Sequence, residues 1–335
     1  MSASTGRAAG APVLGLDLGG TQLRAAVVAA DGRVLAARRS RTPVEAGGPA
    51  IVAGCIAALA EVRDLHAGIA GLPPLAGIGI SAPGPVDPWA GVILDPPNLG
   101  RTFHDTPLAA LVGDALGLPT VLDRDTQVAA LAEGRFGAAA GCPDFLYLTV
   151  STGIGGAVVT GGQLVRGPDG TAGELGHLLV DRDGPPCGCG VSGHLEGIAS
   201  GSGVARSARR AAERGESALL AELVRDRGDA FGGRDVAAAE DAGDRVAGAI
   251  MAGAREAFAL SCVSLVDVFN PALIVVGGSV AVGQGERLLG PARDAVVARS
   301  FRRPGARARI VPAALGDDVG LVGAFVLVEE RIGAP

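Results

Sequence analysis

One pattern occurs twice in this chain. Val13-Leu-Gly-Leu-Asp17-Leu reads as an apolar strand that ends in a tight Gly19-Gly20-Thr21 turn, and Gln22 to Ala29 reads as its β-rich partner. Phe145 to Val159 repeats the arrangement: a strand, a turn over Ser151-Thr152-Gly153, and a strand carrying Gly155 and Gly156. Short apolar runs bounded by glycine read as buried strands. A strand–glycine turn–strand unit that recurs in two halves is what an internal duplication of domains leaves. At 335 residues the chain is long enough for two domains. Glycines in such turns let backbone N–H groups approach an anion closely, and an ordinary hairpin turn explains the first one equally well when taken alone.

Between and after these units the chain alternates. Asp31-Gly32 reads as a turn into a third strand, Val34 to Arg41. Pro49 to Ala67 reads as a helix with Ile51, Cys55, Leu59 and Val62 on one face, followed by a strand from Leu75 to Ser81. Leu108 to Leu116 is expected to be helical and Pro119 to Leu122 extended. An aspartate ahead of an apolar periodic run is an N-terminal helix signal, so Asp125 is expected to start a helix. Further helices are expected over 201–214, loosely over 216–233, after Asp235, over 244–268, over 288–300 and over 316–330, with buried strands at 269–279 and 308–312. No uninterrupted apolar run reaches about 20 residues, so no membrane-spanning helix is expected. The first twelve residues lack a long apolar core and read as a loose tail, not a signal peptide.

Gly173 to Glu196 holds four acids, two of the 4 histidines and two of the 5 cysteines. His177, Cys187, Cys189 and His194 form a candidate zinc set, because thiolate and imidazole close four tetrahedral positions around Zn²⁺. Two thiolates leave such a site near neutrality. The loop has little apolar material to fold around, so a metal would supply its order. A Cys187–Cys189 disulfide is disfavoured by geometry, with one residue between them. Cys55, Cys142 and Cys262 lie in or beside apolar runs and are expected to pack as small hydrophobes; a reducing cytoplasm fits this usage.

The net charge of −6 argues against a general nucleic-acid binder. All 29 basic residues are arginine. Absence of lysine excludes a P-loop of the GxxxxGK[ST] type and any Schiff-base chemistry.

The Gly173–Glu196 stretch resembles the signature of the ROK family (repressors, uncharacterised proteins and sugar kinases), Glu-x-Gly-His followed by Cys-x-Cys-Gly-x-x-Gly-Cys-x-Glu. Here it reads Glu174-Leu-Gly-His177, then Cys187-Gly-Cys189-Gly-Val-Ser-Gly-His194-Leu-Glu196, with His194 in place of the usual third cysteine. Further regions resemble the family in order, so the likeness runs from about Val13 to Arg331. Asp17-Leu-Gly-Gly-Thr21 is similar to the first phosphate loop of the sugar kinase, heat-shock ATPase and actin superfamily. The resemblance implies that Asp17 holds Mg²⁺ through water and that Gly19, Gly20 and Thr21 face the phosphates; relatives often carry lysine where Gln22 stands. Pro83-Gly-Pro-Val-Asp87 and Asn98 match a segment beside the sugar, with Arg101 where many relatives have an aromatic residue. Asp123 to Glu133 matches Asn-Asp-Ala-Asn-x-Ala-Ala-x-x-Glu, which makes Asp125 the catalytic base and puts Arg124 in the place of a sugar-contacting asparagine. An amide donates and accepts while guanidinium only donates, so either Arg124 points away or the sugar end of the pocket is changed. Thr152, Gly153, Gly155 and Gly156 are implied to clamp the β- and γ-phosphates, and Gly277-Gly278 to lie against adenosine. Glu174, His177 and Glu196 are implied to bind sugar hydroxyls, with His177 also on the zinc.

The implied fold is α/β, the two-domain sugar kinase, heat-shock ATPase and actin type (ribonuclease H-like) with an inter-domain cleft. Its expected parts are a smaller domain over 12–121, a larger one over 122–312 and a C-terminal helix over 313–332 returning to the first. The implied activity is ATP-dependent phosphorylation of glucose to glucose 6-phosphate in the cytoplasm by a homodimer, with Mg²⁺ and structural Zn²⁺ and no nucleic-acid or membrane partner. The alternatives are another sugar (N-acetylglucosamine, N-acetylmannosamine, fructose or an amino sugar), polyphosphate as donor, or a sugar sensor without catalysis. A repressor of this family needs a helix-turn-helix ahead of the first loop, and the sixteen residues before Asp17 are too few for one.

Overall fold

The computed structural model describes residues 10–69, 71–100 and 102–333, so most of the expected N-terminal tail and Arg101 lie outside the described residues. The chain divides into two compact units, one of residues 1–141, 166–172 and 314–335, the other of 142–165 and 173–313.

In the first unit, β1 (Val13–Leu18), β2 (Gln22–Val28) and β3 (Val34–Arg41) form an antiparallel meander. Helix α1 (Gly48–Ala67) buries Ile51, Cys55, Leu59 and Val62, the face that the helical spacing predicts, and carries the chain over to β4 (Ile78–Ala82), parallel to β1. A hairpin of β5 (Val86–Asp87) and β6 (Val92–Ile93) follows. Helix α2 (Leu108–Leu116) ends on Gly117, whose φ of 67° suits a residue without a Cβ. β7 (Thr120–Arg124) then joins β4 in parallel and runs directly into α3 (Asp125–Phe136). The sheet order is β3-β2-β1-β4-β7.

The second unit repeats this topology. β8 (Phe145–Val150), β9 (Ile154–Thr160) and β10 (Gln163–Leu164) form the meander. A helical region follows, of α4 (Leu195–Ala199), α5 (Gly201–Glu213), α6 (Ala218–Arg227), α7 (Gly233–Asp241) and α8 (Arg245–Phe269). β11 (Leu273–Gly277) lies parallel to β8, and after α9 (Ser279–Gln284), α10 (Glu286–Arg299) and α11 (Arg302–Arg307) comes β12 (Arg309–Pro312), parallel to β11. The order β10-β9-β8-β11-β12 is that of the first sheet, strand for strand. The chain then closes with α12 (Val319–Arg331), which packs on α3, β1 and β4 of the first unit. Two glycines permit this: a Cβ on Gly79 would collide with Ala324 O, and one on Gly323 with Val128 O.

The structure corrects several expectations. The first unit extends beyond residue 121, because β7 is hydrogen-bonded to β4 and α3 packs on α12. Residues 166–172 also belong to it. Cys55 and Cys262 are fully buried, but Cys142 is only half-buried, its thiol facing Asp144 O at 3.5 Å. Asp235 caps α7, as expected, from within its first turn, where it accepts the Gly232 N–H at 2.8 Å. Helix α8 is long and apolar enough to span a bilayer by length and composition, although half of that window is buried in the core of the second unit against α7 and α10. Asp244 caps it through the Val246 and Ala247 amides at 3.0 and 2.8 Å.

Residues 166–172 are tied down by the β7–α3 junction. Arg166 Nε donates to the fully buried Asp123 carboxylate at 2.7 Å and its two Nη atoms reach Glu330 at 3.0 and 2.9 Å. Ala172 O accepts Arg124 Nη2 at 2.6 Å and Gln127 Nε2 at 3.2 Å. Burial pushes the Asp123 carboxyl above its ordinary value, with Arg166 opposing. Replacing Arg166 by Met leaves that carboxylate buried without its cation, at an expected cost of about 3–5 kcal/mol at neutral pH. A group that binds its proton more tightly when folded favours the folded state as pH falls. The deficit of the variant, measured by urea unfolding, is therefore expected to shrink from pH 7 to about pH 5; a deficit independent of pH contradicts the pairing.

Candidate functional site

The expected site residues fall on both units. In the first, Asp17 ends β1. Its Oδ2 accepts Arg24 Nη2 at 2.5 Å and Nε at 3.2 Å, and its Oδ1 accepts the Ser81 hydroxyl at 3.1 Å. A Cβ on Gly320, at the start of α12, would stand 2.7 Å from Asp17 Oδ1, so glycine there leaves room for the carboxylate. The Gly19-Gly20-Thr21 turn is fixed by Gly19 N–H to Gln22 O at 2.8 Å and by the Thr42 hydroxyl to Gly19 O at 2.6 Å. A Cβ on Gly20 would stand 2.8 Å from Asn98 O, which brings the exposed Asn98 directly against the turn. Asp17, Gly19, Gly20 and Thr21 line one cavity of about 330 Å³ together with Arg24, Arg39 and Asp317.

Asp125 opens α3 with its side chain exposed, and its Oδ1 accepts the Thr126 N–H at 2.6 Å. A carboxylate at the first turn of a helix is favoured in its ionised form by the orphan N–H groups and the helix dipole. Arg124, directly before it, is buried. Its Nη2 is committed to Ala172 O, and its Cδ lies where a Cβ on Gly84 would come within 2.9 Å. Glu133, two turns further on and fully buried, accepts three backbone amides: Ala314 and Leu315 at 2.9 Å each and Ala138 at 2.7 Å.

In the second unit, Thr152 and Gly153 form the β8–β9 turn, and Ser202 and Gly201 donate to Thr152 O and Ser151 O at 3.1 and 2.8 Å. Gly278 (φ 94°) presses against the end of β8, where a Cβ would collide with Val150 O. The turn bearing Glu174 and His177 sits on β9 through two glycines: a Cβ on Gly176 would collide with Ile154 O, and one on Gly156 would stand 2.7 Å from Leu175. The structure brings His177, Cys187, Cys189 and His194 together, all four ligand atoms lying within 4.8 Å of one another. Cys189 Sγ and His194 Nδ1 are 3.3 Å apart. A tetrahedral Zn²⁺ with ordinary Zn–S and Zn–N bonds requires ligand separations of roughly 3.3–3.8 Å, so the four side chains fit such an ion with small adjustments. Burial and the Glu196 carboxylate raise the Cys187 thiol to about 11; a bound divalent cation would reverse that balance and favour thiolate.

Glu196 joins these features. Its Oε2 accepts the Ile154 N–H of the second glycine turn at 2.9 Å, and its Oε1 accepts the Cys187 thiol at 3.2 Å. Gly153 must lack a side chain for this, since a Cβ would stand 2.6 Å from Oε2. Four residues at these sites had escaped the reading of the sequence: Arg24, Ser81, Arg39 and Gly320. Along β2, Gln22 and Arg24 alternate with the apolar Leu23 and Ala25, a signal for Arg24 alone; the others depend on the pairing and packing of distant elements.

A model of the ROK family matches residues 13–331. The glucokinase of Thermotoga maritima is 33% identical over 323 residues, covering 96% of this chain and 98% of the relative. The N-acetylmannosamine kinase of Escherichia fergusonii is 33% identical over 316 residues, covering 94% and 98%. The solved structure of a ROK family glucokinase from Streptomyces griseus in complex with glucose and AMPPNP matches with a TM-score of 0.73 at 34% identity, over 93% of this chain and 97% of that one.

Proposed function

The chain belongs to the ROK family, with its two-domain α/β fold, and on that premise we propose that it is an ATP-dependent sugar kinase, acting on the O6 hydroxyl of glucose. The observation that carries this reading is the exposed Asp125 carboxylate at the start of α3, in the unit that also holds the Asp17 cavity and its glycine turn. In this reading Asp125 accepts the proton of the sugar hydroxyl as that oxygen attacks the γ-phosphorus. A sugar hydroxyl is a weak acid, so the proton moves late and positioning carries most of the acceleration. Gly19, Gly20 and Thr21 of one turn, and Thr152, Gly153, Gly155 and Gly156 of the other, offer N–H and hydroxyl donors to the phosphates, and Gly277-Gly278 lies against adenosine. Mg²⁺ supplies charge neutralisation when bound, and Asp17, already oriented by Ser81 and Arg24, would hold it through water. Asn98, Glu174 and His177 bind sugar hydroxyls, with Glu196 contributing its remaining lone pairs.

Zinc in this reading is structural. His177, Cys187, Cys189 and His194 hold it, and it orients the His177 wall of the sugar site. N-acetylmannosamine is the second reading of the substrate, supported by the equal identity of that kinase.

ADP release from MgATP is expected with one clear favourite among glucose, mannose, fructose, amino sugars and N-acetyl sugars. Sugar binding without turnover on any of them, in folded zinc-replete protein, would replace the kinase by a sensor. Metal analysis of the purified protein is expected to give about one zinc per chain, and Cys187→Ala or Cys189→Ala to lose both metal and sugar affinity. Zinc-free protein of full activity would sink the structural role.

A further inference from the structure

One row of side chains crosses the whole first sheet. Strand register sets Arg39 of β3 opposite Arg24 of β2, Arg24 opposite Asp17 of β1, Asp17 opposite Ser81 of β4, and Ser81 opposite Asp123 of β7. Directly opposed residues share a face of the sheet, and like charges so placed repel. Arg24 is compensated, by Asp17 at 2.5 Å and Asp318 at 3.5 Å. Arg39 is not: among the described residues its hydrogen-bond partner is the neutral amide of Gln22, whose Oε1 accepts Nε at 2.7 Å and Nη2 as well. This fork of bonds holds the guanidinium in the cavity of the first glycine turn, beside Gly20 and Thr21.

A fixed cation with no acidic partner, next to a second cation and a glycine turn, is built for an anion from outside the protein. Guanidinium presents paired donors that match phosphate oxygens. We propose that Arg39, oriented by Gln22, binds the terminal phosphates of the phosphoryl donor. It thereby brings a second positive charge, beside Arg24, to the first glycine turn of this lysine-free chain. Gln22 is then a positioning residue and Arg39 a binding residue. The proposal deepens the kinase reading and rests on it for the identity of the anion as a phosphoanhydride chain, whether nucleoside triphosphate or polyphosphate.

Arg39→Ala is the test, with Gln22→Lys added on that background. Steady-state assays are expected to show KM for MgATP raised about 10-fold or more, KM for the sugar unchanged within about twofold, and donor KM recovered when Gln22→Lys returns a cation to the turn. Titration calorimetry with Mg-AMPPNP and with AMP gives a second readout that needs no turnover: Arg39→Ala weakens the former and leaves the latter unchanged. Parallel assays with polyphosphate identify the donor, and a raised KM for either one supports the assignment. Unchanged KM for both donors together with unchanged AMPPNP affinity, or equal weakening of AMPPNP and AMP, overturns it. A wild-type chain that turns over no sugar would overturn the kinase reading, while the AMPPNP titration still judges Arg39.

Discussion

The cross-strand row Arg39–Arg24–Asp17–Ser81–Asp123 is the feature on which the chemistry of the first unit depends. It places two cations, a carboxylate, a hydroxyl and a buried carboxylate along one line across five strands. A shift of register by one residue on any strand would turn its member of the row to the opposite face, and the buried Leu16, Leu23, Ile80 and Leu122 that alternate with the row resist such a shift. The line ends two residues before Asp125. Asp123 is held by Arg166, and Arg124 and Gln127 hold Ala172 O, so the candidate base emerges from a junction whose neighbours on both sides are tied down.

The second unit uses the same topology with different chemistry. The equivalent line through β9, β8 and β11 is Gly155–Thr149–Gly277, small where the first is charged. The charge here comes from a loop, where Glu196 links the second glycine turn to the cluster of His177, Cys187, Cys189 and His194. A metal in that cluster would hold Cys187 as a thiolate, which leaves Glu196 Oε1 without the thiol proton while Oε2 keeps the Ile154 N–H of the turn. The same physical device, a carboxylate accepting backbone amides, recurs at Glu133, which binds residues 138, 314 and 315.

Sequence periodicity was enough for most elements. The face of α1, the span of α8 and the strand–turn–strand repeat all follow from interactions within a few residues of each other, which is the range over which a pattern is visible. The Cys/His cluster was legible for the same reason, since three of its four members lie within eight residues. What escaped were relations between distant strands. Arg39 and Asp17 are joined only through the pairing of three strands, and Ser81 meets Asp17 only because β4 lies parallel to β1. The reach of the first unit beyond residue 121 was hidden likewise: whether β7 completes the first sheet or begins the second is decided by its hydrogen-bonded neighbour, which leaves no local mark. Arg124 was visible as an unusual residue, but its destination at Ala172 O was not.

Asp125, as the base of a phosphoryl transfer, is the residue on which the proposed chemistry turns. Its most direct test is the rate of ADP formation by Asp125→Asn at saturating MgATP and sugar, beside calorimetric titration of the same variant with the sugar. Asparagine keeps the size of the side chain and removes its basicity. The expected result is sugar affinity within a few-fold of wild type and a kcat lower by about 10²–10⁴-fold. Turnover within about tenfold of wild type, with the sugar still bound, would contradict it and move the search for the base to another carboxylate.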